Sequence, residues 1–173
     1  MEKKRKIFLW VYLAGMAVLV FLDQITKIAA ENKLYNKKAF VIIDGFFELS
    51  YLRNSGAAWG MLSGKRIFFL LITLFMLGVI TYAVIKMPAV KKMIPLECVC
   101  ILLGAGAAGN FIDRLVFGYV RDFIYFKAIN FPVFNVADSY VTVAEILFII
   151  LIFFVYDEAD FDFLKFNNKK DDK

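Results

Sequence analysis

Two aspartates, Asp122 and Asp138, are the residues of this sequence whose type and placement best suit acid/base chemistry. Two carboxyl groups that share one proton can hydrolyse an amide, because the ionised one deprotonates a water while the protonated one polarises the scissile carbonyl. The sequence contains no histidine, which excludes Ser-His and Cys-His nucleophile systems, His-ligated zinc and imidazole proton shuttles. We therefore predict an aspartyl hydrolase that needs no metal and no cofactor.

Asp138 follows Asn135 by three residues, and this spacing has two interpretations. Asn is a preferred N-cap and an acidic residue three positions later complements a helix N-terminus, so the pair could be a capping box and nothing more. Alternatively, the spacing holds a carboxylate rigidly at the mouth of a helix. That position favours an ionised Asp138 and leaves the shared proton on Asp122. This assignment of the proton is a hypothesis, because a coupled pair of carboxyl groups titrates as a unit.

Two further pairs of polar residues have helical spacing. Asp23 and Lys27 lie four residues apart and therefore share a helix face, and so do Asn110 and Arg114. The first pair could equally be a simple ion pair at the membrane interface.

Small residues cluster at two places in the chain. Asn54 opens a loop that includes Gly56, where the backbone could approach an extended peptide closely. The run 104–109 consists only of Gly and Ala, which is typical of close helix packing in membranes. Cys98 and Cys100 lie two apart in an apolar run, where a helix points them to different faces, and we interpret them as reduced packing residues.

The chain as a whole is too apolar for an average soluble domain. Of its 173 residues 61% are hydrophobic, its mean hydropathy is +0.68 and its formal net charge is +5. Four apolar segments approach the roughly 20 residues that a bilayer-spanning helix needs. They cover about residues 7–28, 67–85, 94–111 and 138–156. We predict a membrane all-α protein in which four transmembrane helices form a bundle and a single domain.

The distribution of basic residues predicts the orientation of these segments. A basic cluster at residues 3–6 precedes the first segment, and three lysines occupy the short loop after the second. By the positive-inside rule, both termini are then cytoplasmic. External loops follow at residues 29–66 and 112–137, and residues 157–173 form a tail that we interpret as a solvated end. The first loop contains two strand-like runs around an Asp-Gly turn, which predicts a small external hairpin.

Most of the unusual polar residues fall at one end of the four predicted helices. This convergence follows from chain connectivity and holds even if the orientation is inverted. The residues are Asp23, Lys27, Asn54, Asn110, Arg114, Asp122, Asn135 and Asp138. A transporter would distribute polar residues through the membrane depth, whereas the segment 67–85 carries no charge. The other alternative is a membrane protein that holds a lipidated partner without cleaving it.

Five motifs, in order along the chain, resemble those of lipoprotein signal peptidases, also called signal peptidase II. They are FLDQITK at 21–27, RNSGAAWG at 53–60, GNFIDRL at 109–115, VRDFI at 120–124 and FNVADS at 134–139. Each motif is weak alone, but five at these spacings are specific and extend along nearly the whole chain. The sequence departs from the family pattern at two positions. We expect Phe where Trp59 stands, and a small or apolar residue where Glu145 stands. Glu145 could pair within the bundle.

The resemblance implies an aspartyl protease of the bacterial cytoplasmic membrane, with four transmembrane helices, an external β-rich cradle and an active site at the outer face. Such an enzyme removes the signal peptide from prolipoproteins, on the N-terminal side of a cysteine that carries a diacylglyceryl group. The resemblance also implies that Asp122 and Asp138 are the catalytic dyad. It places Asp23 and Lys27 near the active site. Four further residues are expected around the substrate and the dyad, namely Asn54, Asn110, Arg114 and Asn135. The expected partners are the diacylglyceryl-prolipoprotein, membrane lipid and globomycin-type inhibitors, with no nucleic acid, and a monomer suffices.

Overall fold

Four helices and a three-stranded sheet make up the part of the chain that the structure describes. This computed structural model describes residues 2–56 and 61–165, so Trp59 and the end of the tail lie outside it. The elements are α1 (Glu2–Leu34), β1 (Phe40–Ile43), β2 (Phe47–Asn54), α2 (Arg66–Lys86), α3 (Ile94–Phe117), β3 (Val120–Phe126) and α4 (Val136–Phe154), with short 3-10 helices at Lys91–Met93, Lys127–Ile129 and Glu158–Leu164.

All four α-helices are long and apolar enough to cross a membrane. They coincide with the four predicted apolar segments, but α1 and α3 are longer than those segments, at 33 and 24 residues. Because α3 continues beyond residue 111, Asn110 and Arg114 lie in its last two turns. α3 is the central helix, since α1, α2 and α4 each pack mainly against it.

The small residues of α3 let its neighbours approach closely. A Cβ atom on Gly106 would lie 2.6 Å from both the carbonyl oxygen of Ala137 and Cγ2 of Val141, which belong to α4. A Cβ atom on Gly109 would lie 2.5 Å from Oδ2 of Asp23, which belongs to α1. The run 104–109 therefore serves helix packing, as the sequence predicts.

The three strands form an antiparallel sheet in the order β1-β2-β3. β1 and β2 form the predicted hairpin, with Gly45 in the left-handed conformation at φ +69° in the turn. β3 joins β2 with Asp122 opposite Leu52, a pairing that the sequence analysis did not predict. In this register Asn54 and Asp122 are diagonal neighbours on one face of the sheet.

Most residues of the tail segment 157–165 are exposed, but two of its aromatic side chains contact the helices, which the prediction of a solvated end did not include. In the 3-10 helix Glu158–Leu164, Phe161 and Phe163 pack against a core at the end of the helices away from the sheet. The Tyr156 hydroxyl also donates a hydrogen bond of 2.7 Å to the carbonyl of Lys92. The sequence analysis missed the contacts of these aromatic residues because it considered only the mixed charges of the tail. Cys100 belongs to the same core, while Cys98 is exposed, so the two thiols face different directions as predicted.

Glu145 lies on the exposed side of α4. The buried residues of α4 are Ala137, Ala144 and Leu151, which define a different face of the helix. Within residues 2–56 and 61–165, Glu145 forms no hydrogen bond or ion pair. The expectation that it could pair inside the bundle is therefore not met.

Close contact between α3 and α4 predicts a stability difference between two Gly→Ala variants. We expect Gly106→Ala to lower the free energy of unfolding by about 1–3 kcal/mol, because the added methyl group overlaps the backbone of α4. Gly78 in α2 has no atom within 4 Å of an added Cβ, so Gly78→Ala should be neutral or stabilising by up to ~1 kcal/mol. Thermal unfolding of both purified variants in detergent measures this, and equal stability would contradict the packing argument.

Candidate active site

Asn135 connects the two predicted catalytic carboxyl groups. Its side-chain amide donates to Oδ1 of Asp122 at 2.6 Å, and its backbone N–H donates to Oδ2 of Asp138 at 3.0 Å. Its side-chain oxygen accepts a hydrogen bond of 3.1 Å from the backbone N–H of Asp138, which completes a capping box on α4. The two interpretations of this spacing are thus compatible, because Asn135 caps the helix with its oxygen and reaches Asp122 with its nitrogen.

Asp122 is 2% exposed and is held by two neutral amides. Asn54 donates to its Oδ2 at 2.9 Å, and Asn135 donates to its Oδ1. Burial raises the pKa of Asp122 to about 7, with a further contribution from the nearby Asp138 carboxylate, while the two amide hydrogen bonds act in the opposite direction. The surroundings of Asp122 therefore favour its protonated form more than those of an exposed aspartate do.

Asp138 accepts hydrogen bonds from Asn135 and Asn110 at the N-terminus of α4. It occupies the third position of α4, where the helix N-terminus stabilises negative charge. Asn110 donates to its Oδ1 at 2.7 Å, and the oxygen of that same amide accepts from the Lys27 ammonium at 2.8 Å. The Lys27 ammonium is thus linked to Asp138 through one amide.

Asp23 and Lys27 form an ion pair of 2.9 Å in which both side chains are 0% exposed. The alternative of a simple interfacial pair therefore does not apply. The other oxygen of Asp23 accepts a hydrogen bond of 3.0 Å from the backbone N–H of Ala137. This N–H lies in the first turn of α4 and has no partner within the helix, so α1 directly fixes the beginning of α4.

Arg114 and Gly56 position the loop that follows β2. Arg114 donates to the carbonyl oxygen of Gly56 at 3.1 Å, and its guanidinium lies 4.6 Å from the centre of the Phe69 ring in α2. The N–H of Gly56 in turn donates to Oδ1 of Asn54 at 3.0 Å. The loop backbone therefore lies beside the amide that holds Asp122.

The structure brings all nine predicted site residues into one continuous series of hydrogen bonds and ion pairs. In order of contact they are Asp23, Lys27, Asn110, Asp138, Asn135, Asp122, Asn54, Gly56 and Arg114. These residues come from α1, β2, α3, β3 and α4 and from the short segments that follow or precede them.

A second buried ion pair supports this network, and the sequence analysis assigned no role to it. Arg121 donates to both oxygens of Asp113, at 2.8 and 3.1 Å, and to the side-chain oxygen of Gln24 at 2.9 Å. The pair joins the end of α3 to the beginning of β3, directly before Asp122. All three residues lie inside recognised motifs, but spacing alone could not show that they contact one another.

A cavity of about 650 Å³ opens beside the two carboxyl groups. Asn54, Asn110 and Arg114 contribute polar groups to its wall. Apart from Ser139 and Thr142, the remaining wall is largely apolar and includes Phe126, Ile129, Phe131, Pro132, Val133, Phe134, Val141 and Val143. Two carboxyl groups at the wall of a mostly apolar cavity suit the hydrolysis of an amide bond in an apolar substrate.

Among residues 2–56 and 61–165, no group of three or more His, Cys, Asp and Glu side chains is arranged to hold a metal ion.

Comparisons with known proteins agree on one family. A family described as "Signal peptidase (SPase) II" matches residues 15–154. The chain is 43% identical over 148 residues to a lipoprotein signal peptidase of Enterococcus faecalis, covering 86% of this chain and 89% of the relative. It is 45% identical over 133 residues to that of Caldanaerobacter subterraneus subsp. tengcongensis, covering 76% and 88%.

Two solved structures resemble this chain in both fold and sequence. A bacterial membrane enzyme determined at 2.3 Å resolution superposes with a TM-score of 0.71 and 35% identity, covering 94% of this chain and 93% of that one. A second, determined at 1.9 Å resolution, has a TM-score of 0.70 and 38% identity over 81% and 90% of the two chains. With four apolar helices and this sequence similarity, the chain belongs to the signal peptidase II family of aspartic peptidases and is a multi-pass bacterial membrane protein.

Proposed function

We propose that this chain cleaves the signal peptide from diacylglyceryl-modified prolipoproteins, on the N-terminal side of the lipidated cysteine, with Asp122 and Asp138 as the catalytic dyad. The observation that carries the proposal is the double role of Asn135, which holds one carboxyl group with its side chain and the other with its backbone. The names of the curated relatives support the substrate class.

The first chemical step is the attack of water. Ionised Asp138 takes a proton from the water, whose oxygen forms a bond to the scissile carbonyl carbon. Asp122 donates its proton to the carbonyl oxygen as charge develops there, so that a neutral tetrahedral diol forms. The raised pKa of Asp122 supports this assignment, because an acid must still hold its proton at the working pH.

The second step breaks the amide bond. Asp138, now protonated, gives its proton to the nitrogen of the cysteine residue, and the C–N bond breaks. A hydroxyl proton of the diol returns to Asp122. The products are the signal peptide with a new carboxyl group and the lipoprotein with a free amino group on its lipidated cysteine, while both carboxyl groups regain their starting states.

The apolar wall of the cavity suits a lipid-bearing substrate. Phe126, Ile129, Phe134, Val141 and Val143 contribute to this wall. We assign this wall to the diacylglyceryl chains and the last apolar residues of the signal peptide, which can reach it from the bilayer. Asn54, Asn110 and Arg114 then lie around the scissile peptide.

The proposal includes an orientation for the molecule. The four helices form a transmembrane bundle with both termini cytoplasmic, and the sheet forms an external cradle, so that the dyad lies at the outer face of the cytoplasmic membrane. The basic cluster at residues 3–6 supports this orientation. One chain supplies all nine site residues, so a monomer is sufficient. Globomycin-type inhibitors are expected to occupy the same cavity.

Replacing either dyad residue tests the mechanism. We expect Asp122→Asn and Asp138→Asn each to lower kcat by about 10³-fold or more, because the amide can neither accept the water proton nor donate an acidic one. The measurement is a gel-shift cleavage assay on a purified diacylglyceryl-prolipoprotein, with and without EDTA.

Asp44→Asn, in the exposed hairpin turn, is the matched control and should leave kcat unchanged. Wild-type turnover by both dyad variants would refute the mechanism. Binding of the substrate without cleavage by folded wild-type protein would instead support the alternative of a lipoprotein-binding membrane protein. Chelation should have no effect on the wild-type rate.

The pKa of Asp122 predicts a pH dependence of cleavage. Because protonated Asp122 is the active form, kcat/KM should fall as the pH rises above about 7 and approach a tenfold loss per pH unit. Initial rates measured between about pH 6 and pH 9 check this, with a return to neutral pH to show that the loss is reversible. A rate that does not change over this range would contradict Asp122 as the acid.

A further inference from the structure

A second, smaller cavity of about 370 Å³ adjoins the active-site cavity. The two cavities share Asn54 and the apolar residues Phe131, Pro132 and Val133 as a common wall. The second one is completed by Leu52, Arg53, Ser55, Tyr125 and Asn130. None of these residues belongs to the four apolar helices, whereas the active-site cavity includes residues of α3 and α4.

A polypeptide cleaved at the dyad must extend from the active site in two directions. The signal peptide and the diacylglyceryl chains are apolar and belong with the valines of α4. The mature lipoprotein, in contrast, has to leave towards water. The second cavity continues the active-site cavity in a direction where no residue of the four apolar helices lines it. Its wall includes the polar residues Asn54, Ser55 and Asn130.

We propose that this second cavity binds the first residues of the mature lipoprotein, on the C-terminal side of the lipidated cysteine, as an extended polypeptide. This inference rests on the function proposed above and adds a binding site for the part of the substrate that is not removed.

Asn130 is the residue best placed to hold the backbone of such a segment. The Tyr125 hydroxyl donates to its side-chain oxygen at 2.8 Å, which fixes the orientation of the amide. Within the described residues no acceptor takes a hydrogen bond from its side-chain nitrogen, and Asn130 is exposed. Its two amide protons are therefore available to a peptide carbonyl of the mature chain, which makes Asn130 a positioning residue.

The backbone conformation of Asn130 allows a substitution that removes the side-chain amide without straining the backbone. Its φ of +48° lies in the left-handed region, where glycine is favoured, so Asn130→Gly removes the amide and keeps the conformation. Asn36 has a similar φ of +57° but lines neither cavity, so Asn36→Gly is the matched control.

The experiment compares two diacylglyceryl-modified substrates that are identical up to the lipidated cysteine. One ends there as a C-terminal amide, and the other continues for about four residues. We expect wild type and Asn36→Gly to cleave the extended substrate with the higher kcat/KM. Asn130→Gly should lose about fivefold on the extended substrate, the effect of about one hydrogen bond, and nothing on the short one.

Two results would overturn the inference while leaving the proposed function intact. One is equal kcat/KM of the wild type for the two substrates. The other is an equal loss on both substrates for Asn130→Gly, since a structural role does not depend on substrate length. Failure of folded wild-type protein to cleave either substrate would refute the proposed function itself, and with it the inference.

Discussion

The structure around the dyad depends on a lysine ammonium that has no access to water. Lys27 is 0% exposed, and burial of an unpaired ammonium costs several kcal/mol. Asp23 compensates the charge at 2.9 Å, and Asn110 accepts a further hydrogen bond. Because Asp23 also binds the N–H of Ala137, and Asn110 also binds Asp138, the compensation of one charge on α1 determines where α4 begins and where its carboxylate lies.

Buried charges surround the two aspartates Asp122 and Asp138. Three cations and four carboxylates lie close together, namely Lys27, Arg114 and Arg121 with Asp23, Glu31, Asp113 and Asp138. Asp122 differs from these carboxylates, because both of its side-chain hydrogen-bond partners are neutral amides. Burial of this carboxyl group is the main reason why its pKa is raised. The proposed assignment of Asp122 as the acid therefore depends on its surroundings and not on its residue type.

Close packing and electrostatics are connected in this site. Gly109 leaves room for the Asp23 carboxylate, and Gly106 leaves room for the first turn of α4. A larger side chain at either position would separate helices whose ends carry the site residues. The run 104–109 is thus a packing feature that also allows a buried ion pair and a helix N-terminus to meet.

The sequence by itself determined the four apolar helices, the hairpin and the cap on α4, because each depends on the length of an apolar run or on spacing between near neighbours in the chain. The residues of the candidate site were predicted from chain connectivity and from five motifs that resemble one family. Only the tertiary structure decided that Asp113 pairs with Arg121, that β3 joins the sheet, that Glu145 faces outward and that two aromatic residues of the tail pack on the core. Those features depend on how each helix is rotated about its axis and on contacts between residues far apart in sequence, which local spacing does not encode.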